Sequence, residues 1–166
     1  KKPNGQMVIV CPGGGYSIVS SWNEGVYVAD WMLERGITVC VVKYRLPNYH
    51  WEIPLQDVQN AFRYCRAHAA EWGVNQIGVM GFSAGGHLAA SVSGLWHHEE
   101  LWQELELTPE QVRPNAAILC YPVITAGEHA HKGSFLNLAG KESGYDEQKE
   151  YSLELAVNET TPPAFL

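Results

Sequence analysis

Short apolar runs alternate along this chain with segments of helical periodicity. Gln6–Cys11 is apolar throughout its centre, Met7-Val8-Ile9-Val10. That continuity marks a strand buried on both faces. Residues 37–42, 76–80 and 115–120 read the same way. Between them, residues 24–35 carry Val28, Trp31, Met32 and Arg35 at helical spacing and end at Gly36, a C-cap residue. Residues 55–70 place Val58, Ala61, Phe62 and Cys65 on one stripe of a helix. Ala84–Gly94 reads as a helix of small residues, and residues 44–54 as a loop rich in proline and aromatics. Strands alternating with helices predict an α/β fold, a doubly wound and mostly parallel sheet. Right-handed crossovers then put a helix layer on each face. Ligands of such sheets sit beyond the carboxyl ends of the strands.

The pattern breaks down over residues 125–161, which are polar and turn-rich (Gly127, Gly133, Gly140, Gly144) with no clear strand. This stretch is expected to be an insertion or partial cap over the site. Residues 96–107 are a smaller excursion of the same kind. The last residues, Pro162-Pro163-Ala164-Phe165-Leu166, read as a loop entering a further strand. Residues 1–166 are therefore expected to form one domain, truncated relative to its complete fold.

Composition narrows the classes. The formal charge of −7 and pI near 5.4 argue against nucleic acid as a partner, which needs a basic footprint. No polybasic segment or long apolar run suggests contact with a membrane. The four cysteines, Cys11, Cys40, Cys65 and Cys120, show no CxxC or Cys/His metal spacing and are expected to be free thiols. Scattered buried thiols favour a reducing compartment, and a cytoplasmic location is expected. No metal is expected.

The strongest chemical signal is Gly81-Phe82-Ser83-Ala84-Gly85, between a predicted strand and a predicted helix. That context turns G-x-S-x-G into a nucleophile elbow, with Ser83 on a tight turn. The bland reading is a glycine-rich helix start with Ser83 as N-cap. The second signal is Pro12-Gly13-Gly14-Gly15-Tyr16, directly after the first strand. Acyl transfer builds negative charge on a carbonyl oxygen, and N–H groups on a glycine turn can approach it. The N–H groups of Gly14, Gly15 and Ala84 are the candidate oxyanion donors. No P-loop or dinucleotide fingerprint is matched. Tyr16 and Trp22, with Tyr49, Trp51, Trp96 and Trp102, are loop-side aromatics that could stack on sugar, or pack as ordinary core and rim.

These motifs resemble the carbohydrate-esterase-like branch of the α/β hydrolases, the acetyl esterase and acetylxylan esterase type related to hormone-sensitive lipase. The resemblance runs through Cys-Pro-Gly-Gly-Gly-Tyr at 11–16, Tyr44-Arg45-Leu46, Pro54-Leu55-Gln56-Asp57-Val58 and Gly-Phe-Ser-Ala-Gly-Gly-His-Leu-Ala at 81–89. It continues in Tyr121-Pro122-Val123-Ile124, His131-Lys132-Gly133-Ser134 and residues 161–166. It implies the α/β-hydrolase fold and a serine esterase needing no cofactor. The implied substrate is a small-molecule or oligosaccharide ester with a short acyl group such as acetyl. It also implies a triad in the order Ser, Asp, His, with the Asp after a strand beginning at Ala164 and the His further on.

Internal substitutes for those partners look structural. Asp57 is expected to cap a helix or pair with Arg45, and His87 to be a satisfied core histidine. His97 and His98 with Glu99 and Glu100 read as a solvated face. His129 and His131 lie in the cap segment. Two other readings are open: a peptidase of the prolyl-oligopeptidase type, and a non-catalytic binding protein of the same fold.

Overall fold

The computed structural model describes residues 2–140 and 145–166. Five parallel strands form one sheet: β1 (Gln6–Cys11), β2 (Thr38–Val41), β3 (Gln76–Phe82), β4 (Ala117–Cys120) and β5 (Ala164–Phe165). Their order is β2-β1-β3-β4-β5. The chain steps from β1 to one side, then crosses back past it to β3 and β4. Right-handed crossovers therefore place α1 (Tyr27–Leu33) on one face, and α2 (Glu52–His68) and α3 (Ala84–Gly94) together on the other.

Alternate residues of the strands feed the main core. Met7, Ile9, Cys11, Ile77, Val79, Ala117 and Leu119 meet Leu55, Val58, Phe62 and Cys65 of α2 and Leu88, Ala89 and Val92 of α3. The stripe read from the sequence on residues 55–70 is the buried face of α2. That helix begins at Glu52 rather than 55, because a proline is tolerated in the first turn, where its missing N–H has no partner to lose.

The expected helix over 24–35 is split. Trp22–Val26 forms a π-turn in which the Val26 N–H donates to the Ser21 carbonyl, and α1 follows. Gly25 permits this: a Cβ there would lie 2.8 Å from Val41 Cγ1 of β2. Gly36, at φ 79°, closes α1 as expected, with Ile37 N–H bonded to the Met32 carbonyl.

Over 125–161, read from the sequence as turn-rich without a clear strand, the structure adds helices. This stretch carries α5 (Lys132–Ala139) and a short α6 (Tyr145–Gln148). Phe135 and Leu138 of α5 are buried in the main core. Gly133 and Gly140 had hidden the helix. Gly144 lies outside the described residues. The 96–107 excursion, with the short α4 (Pro109–Val112), folds around a satellite core of Trp102, Leu107 and Val112. Trp102 is thus a core residue rather than a sugar platform, and its indole N–H donates to the Trp96 carbonyl at 2.9 Å. The strand expected at Ala164 is present as β5, in register with Ala117 and Ile118 of β4. No helix among the described residues is long and apolar enough to cross a membrane.

Candidate active site

Strand register builds the site. β1 and β3 pair Cys11 with Gly81, and β3 and β4 pair Phe82 with Cys120. The loops leaving the three strands therefore put Gly13, Ser83 and Tyr121 side by side at the carboxyl edge of the sheet. A Cβ on Gly13 would sit 2.6 Å from the Phe82 carbonyl oxygen and 3.1 Å from Ser83 Cβ, so only glycine fits there.

Ser83 has φ 52° and ψ −119°, a costly conformation for a residue with a side chain. Its surroundings impose it. The Ser83 N–H donates to the Cys120 carbonyl at 3.1 Å, and its own carbonyl accepts from Val123 N–H at 3.0 Å and His87 N–H at 3.2 Å. The flanking glycines are packed against backbone. A Cβ on Gly81 would lie 2.0 Å from the Gly85 carbonyl oxygen, and one on Gly85 would lie 2.1 Å from that of Cys11. Ser83 precedes α3 without making a side-chain capping bond, which removes the simple N-cap reading. Among the described residues, nothing hydrogen-bonds the Ser83 hydroxyl in this strained turn.

The glycine loop adds donors. Gly14, Gly15 and Tyr16 all have positive φ, at 132°, 62° and 58°. A Cβ on Gly14 would lie 2.3 Å from the Ile18 carbonyl oxygen. Among the described residues, the N–H groups of Gly14 and Gly15 have no hydrogen-bond acceptor. Successive free N–H groups on such a turn make an anion-binding concavity. Ala84 opens α3, so its N–H has no carbonyl one turn back to bond. From above, Asn137 of α5 donates to the Gly15 carbonyl at 2.8 Å and holds the loop in place.

Gly13 differs. Its N–H donates to Glu24 Oε2 at 2.8 Å, and Glu24 Oε1 accepts from the Tyr121 hydroxyl at 2.9 Å. The sequence reading placed Glu24 only as the start of a helix. Its partners lie 11 and 97 positions away, so no local pattern could have marked it.

Tyr16 is not at a substrate rim. It is 3% exposed, and its hydroxyl donates to His87 Nδ1 at 2.9 Å. Its ring meets those of Tyr44 and His87 edge-on. Trp22, by contrast, is 69% exposed. His87 Nε2 donates to the Tyr151 carbonyl at 2.8 Å, which leaves Nδ1 as the acceptor for Tyr16. Both ring nitrogens are thus engaged, and His87 is the satisfied core histidine expected. Burial pushes its pKa down to about 4. This has a consequence for stability. The folded state holds His87 neutral, whereas the unfolded chain protonates it near pH 6.5. The contribution of His87 is complete above pH 6.5 and is lost as pH falls toward 4, by roughly 3 kcal/mol in all. Urea unfolding at a series of pH values should show this fall, and it should be much shallower in His87→Gln.

The other candidates lie elsewhere. The Arg45 guanidinium clasps Asp57, with Nη2 to Oδ1 at 2.8 Å, the pairing expected, though Arg45 faces solvent. His131 caps α5, its Nδ1 facing Ser134 Oγ at 2.8 Å. His98 pairs with Glu100 on a solvated face. Among the described residues, no histidine or carboxylate hydrogen-bonds the Ser83 hydroxyl. All four cysteines are free.

Comparison with known proteins decides the family. The BD-FAE family profile matches residues 1–152. The chain belongs to the BD-FAE family. An acetylxylan esterase of Xylanibacter ruminicola is 42% identical over 171 residues, which covers 99% of this chain and 33% of that protein. Endo-1,4-beta-xylanase B of Butyrivibrio fibrisolvens is 33% identical, covering 96% of this chain and 26% of that protein. Among solved structures, an acetyl ester-xyloside bifunctional hydrolase from Caldicellulosiruptor lactoaceticus superposes with a TM-score of 0.83 at 34% identity. It matches all of this chain over 61% of its own length. The carboxylesterase Cest-2923 from Lactobacillus plantarum gives 0.79 at 26% identity, covering 99% of this chain and 60% of that one. This BD-FAE chain thus spans a third or less of the curated relatives and about three fifths of the solved ones. Its fold is that of the α/β-hydrolase esterases.

Proposed function

We propose that this BD-FAE chain carries the nucleophile and oxyanion site of a carboxylic ester hydrolase acting through an acyl-enzyme. The observation that carries the reading is Ser83, held in a strained turn, free of capping bonds, beside a glycine loop with unbonded N–H groups. Ser83 Oγ attacks the ester carbonyl. The N–H groups of Gly14, Gly15 and Ala84 receive the developing charge, at positions fixed before the reaction. Gly13 is not a donor, because Glu24 occupies its N–H. A general base must take the Ser83 proton and return it to the leaving alcohol, and an acid must orient that base. We assign both to residues following Leu166, with the acid in the turn after β5, which ends beside β4.

The names of the relatives support an acetyl ester on a xylan-type carbohydrate as substrate. Trp22 is one of the exposed aromatics available to stack on a sugar ring. Three cavities of about 270, 480 and 540 Å³ are lined by other residues than Ser83. A short acyl group as substrate calls for a closed acyl pocket in the active enzyme. Activity of that enzyme on p-nitrophenyl esters should fall at each step from acetyl to butyryl to octanoyl. A methylene that fits gains only about 1 kcal/mol, whereas one that clashes costs more. A preference for octanoyl would overturn the short-acyl assignment. Cleavage of a prolyl peptide without ester hydrolysis would overturn the esterase reading.

A further inference from the structure

We propose that Glu24 is a positioning residue that ties the loops of β1 and β4 together across the nucleophile, an inference that rests on the esterase reading of Ser83. The register sets Gly13, Ser83 and Tyr121 in a row, and Glu24 joins the two outer members. One carboxylate oxygen accepts from the Gly13 N–H at 2.8 Å and the other from the Tyr121 hydroxyl at 2.9 Å. A Cβ on Gly13 would meet Glu24 Oε2 at 2.6 Å and Ser83 Cβ at 3.1 Å, so carboxylate and nucleophile flank the same glycine.

The chain is shaped to put a carboxylate there. The Ser20 N–H bonds the Gly13 carbonyl and the Glu24 N–H bonds the Ser20 carbonyl, leading the loop back toward Gly13. The π-turn then sets the Glu24 side chain, and Gly25 seats the turn against Val41. Such turns recur at functional sites because they re-aim one side chain. Tyr121 at the far end has φ 36°, an unfavourable conformation for tyrosine that needs an outside anchor.

The consequence concerns the neighbours of Gly13. Once its N–H is fixed, the next peptide units turn through the positive-φ residues Gly14 and Gly15, and their N–H groups stay aimed rather than swinging. Donors that are aimed before reaction stabilise the transition state without a reorganisation cost. Glu24 touches neither the ester nor the Ser83 proton. It should act on kcat through the loop and leave substrate affinity nearly untouched.

The test compares Glu24→Ala, Glu24→Gln and Tyr121→Phe in the full-length enzyme, with p-nitrophenyl acetate kinetics and hydrogen exchange of the peptide covering residues 11–16. Glu24→Ala should lower kcat roughly 10- to 100-fold, with KM changed by less than about threefold, and exchange in that peptide should speed up. Glu24→Gln keeps an acceptor for the Gly13 N–H and should recover most of the loss and the slow exchange. Tyr121→Phe, which cuts one arm only, should fall in between. A Glu24→Ala enzyme with wild-type kcat overturns the proposal, as does a loss carried entirely by KM. If Glu24→Ala fails to fold, Glu24→Gln and Tyr121→Phe still decide: a Gln variant as impaired as a misfolded one, with fast exchange, overturns it. Ser83→Ala run alongside keeps the two claims apart. Full hydrolysis in Ser83→Ala overturns the reading of Ser83 as the nucleophile and reduces Glu24 to scaffold, whatever the exchange data give.

Discussion

Replacing Ser83 by alanine in the full-length enzyme should lower kcat/KM on the order of 10⁶-fold, the loss found when the nucleophile of a serine hydrolase is removed. Among the described residues, the other hydroxyl beside Ser83, that of Tyr121, is bonded to Glu24. The Tyr16 hydroxyl is buried against His87, and the buried Cys11 thiol has its ionisation suppressed by desolvation. The same residue carries a second expectation with the opposite sign. Ser83 sits at φ 52°, where glycine has no penalty. Ser83→Gly should therefore be as inactive as Ser83→Ala yet more stable than the wild type, by about 1 kcal/mol. Thermal melts of the three proteins would check this. A serine placed there merely to cap α3 would give the reverse, a loss of stability on either substitution.

Gly85→Ala should be among the most damaging small substitutions at the elbow. Its added Cβ would lie 2.1 Å from the Cys11 carbonyl oxygen and 2.4 Å from that of Pro12. Both are backbone atoms at the carboxyl end of β1, so neither can rotate away. Either α3 lifts off the sheet or β1 shifts, and both movements separate Ser83 from the glycine loop. The cost should exceed about 3 kcal/mol, the upper part of the range for overpacking. Gly73→Ala is the control. Gly73 also has positive φ, at 67°, but a Cβ there meets nothing within 4 Å. It should cost only about 1–2 kcal/mol, the left-handed penalty for a residue with a Cβ. Urea denaturation of the two variants separates steric closeness from backbone conformation. Equal losses would contradict the packing described around the elbow.

What the chain declared in advance follows from the range of the interactions. The central strands are apolar on both faces because helices pack on both faces of the sheet, so β1, β3 and β4 were visible as runs. The elbow was visible because its glycines answer a local clash, Gly81 against Gly85 within five residues. α5 was missed because its periodicity is only eight residues long and a glycine sits near its start. Tyr16 was misplaced for a related reason. It follows the glycine loop directly, but its positive φ turns the ring inward to His87, 71 positions away. Glu24 was not recognised at all, since what defines it is the register of three strands rather than any neighbour in the chain.

The central claim is that Ser83 is the group that becomes acylated. The most direct measurement treats the full-length enzyme with a fluorophosphonate and maps the adduct by peptide mass spectrometry. The account predicts one adduct, on Ser83 in the peptide that joins β3 to α3, formed in step with loss of esterase activity and absent from Ser83→Ala. An adduct on any other residue, or labelling that persists in Ser83→Ala, would contradict it.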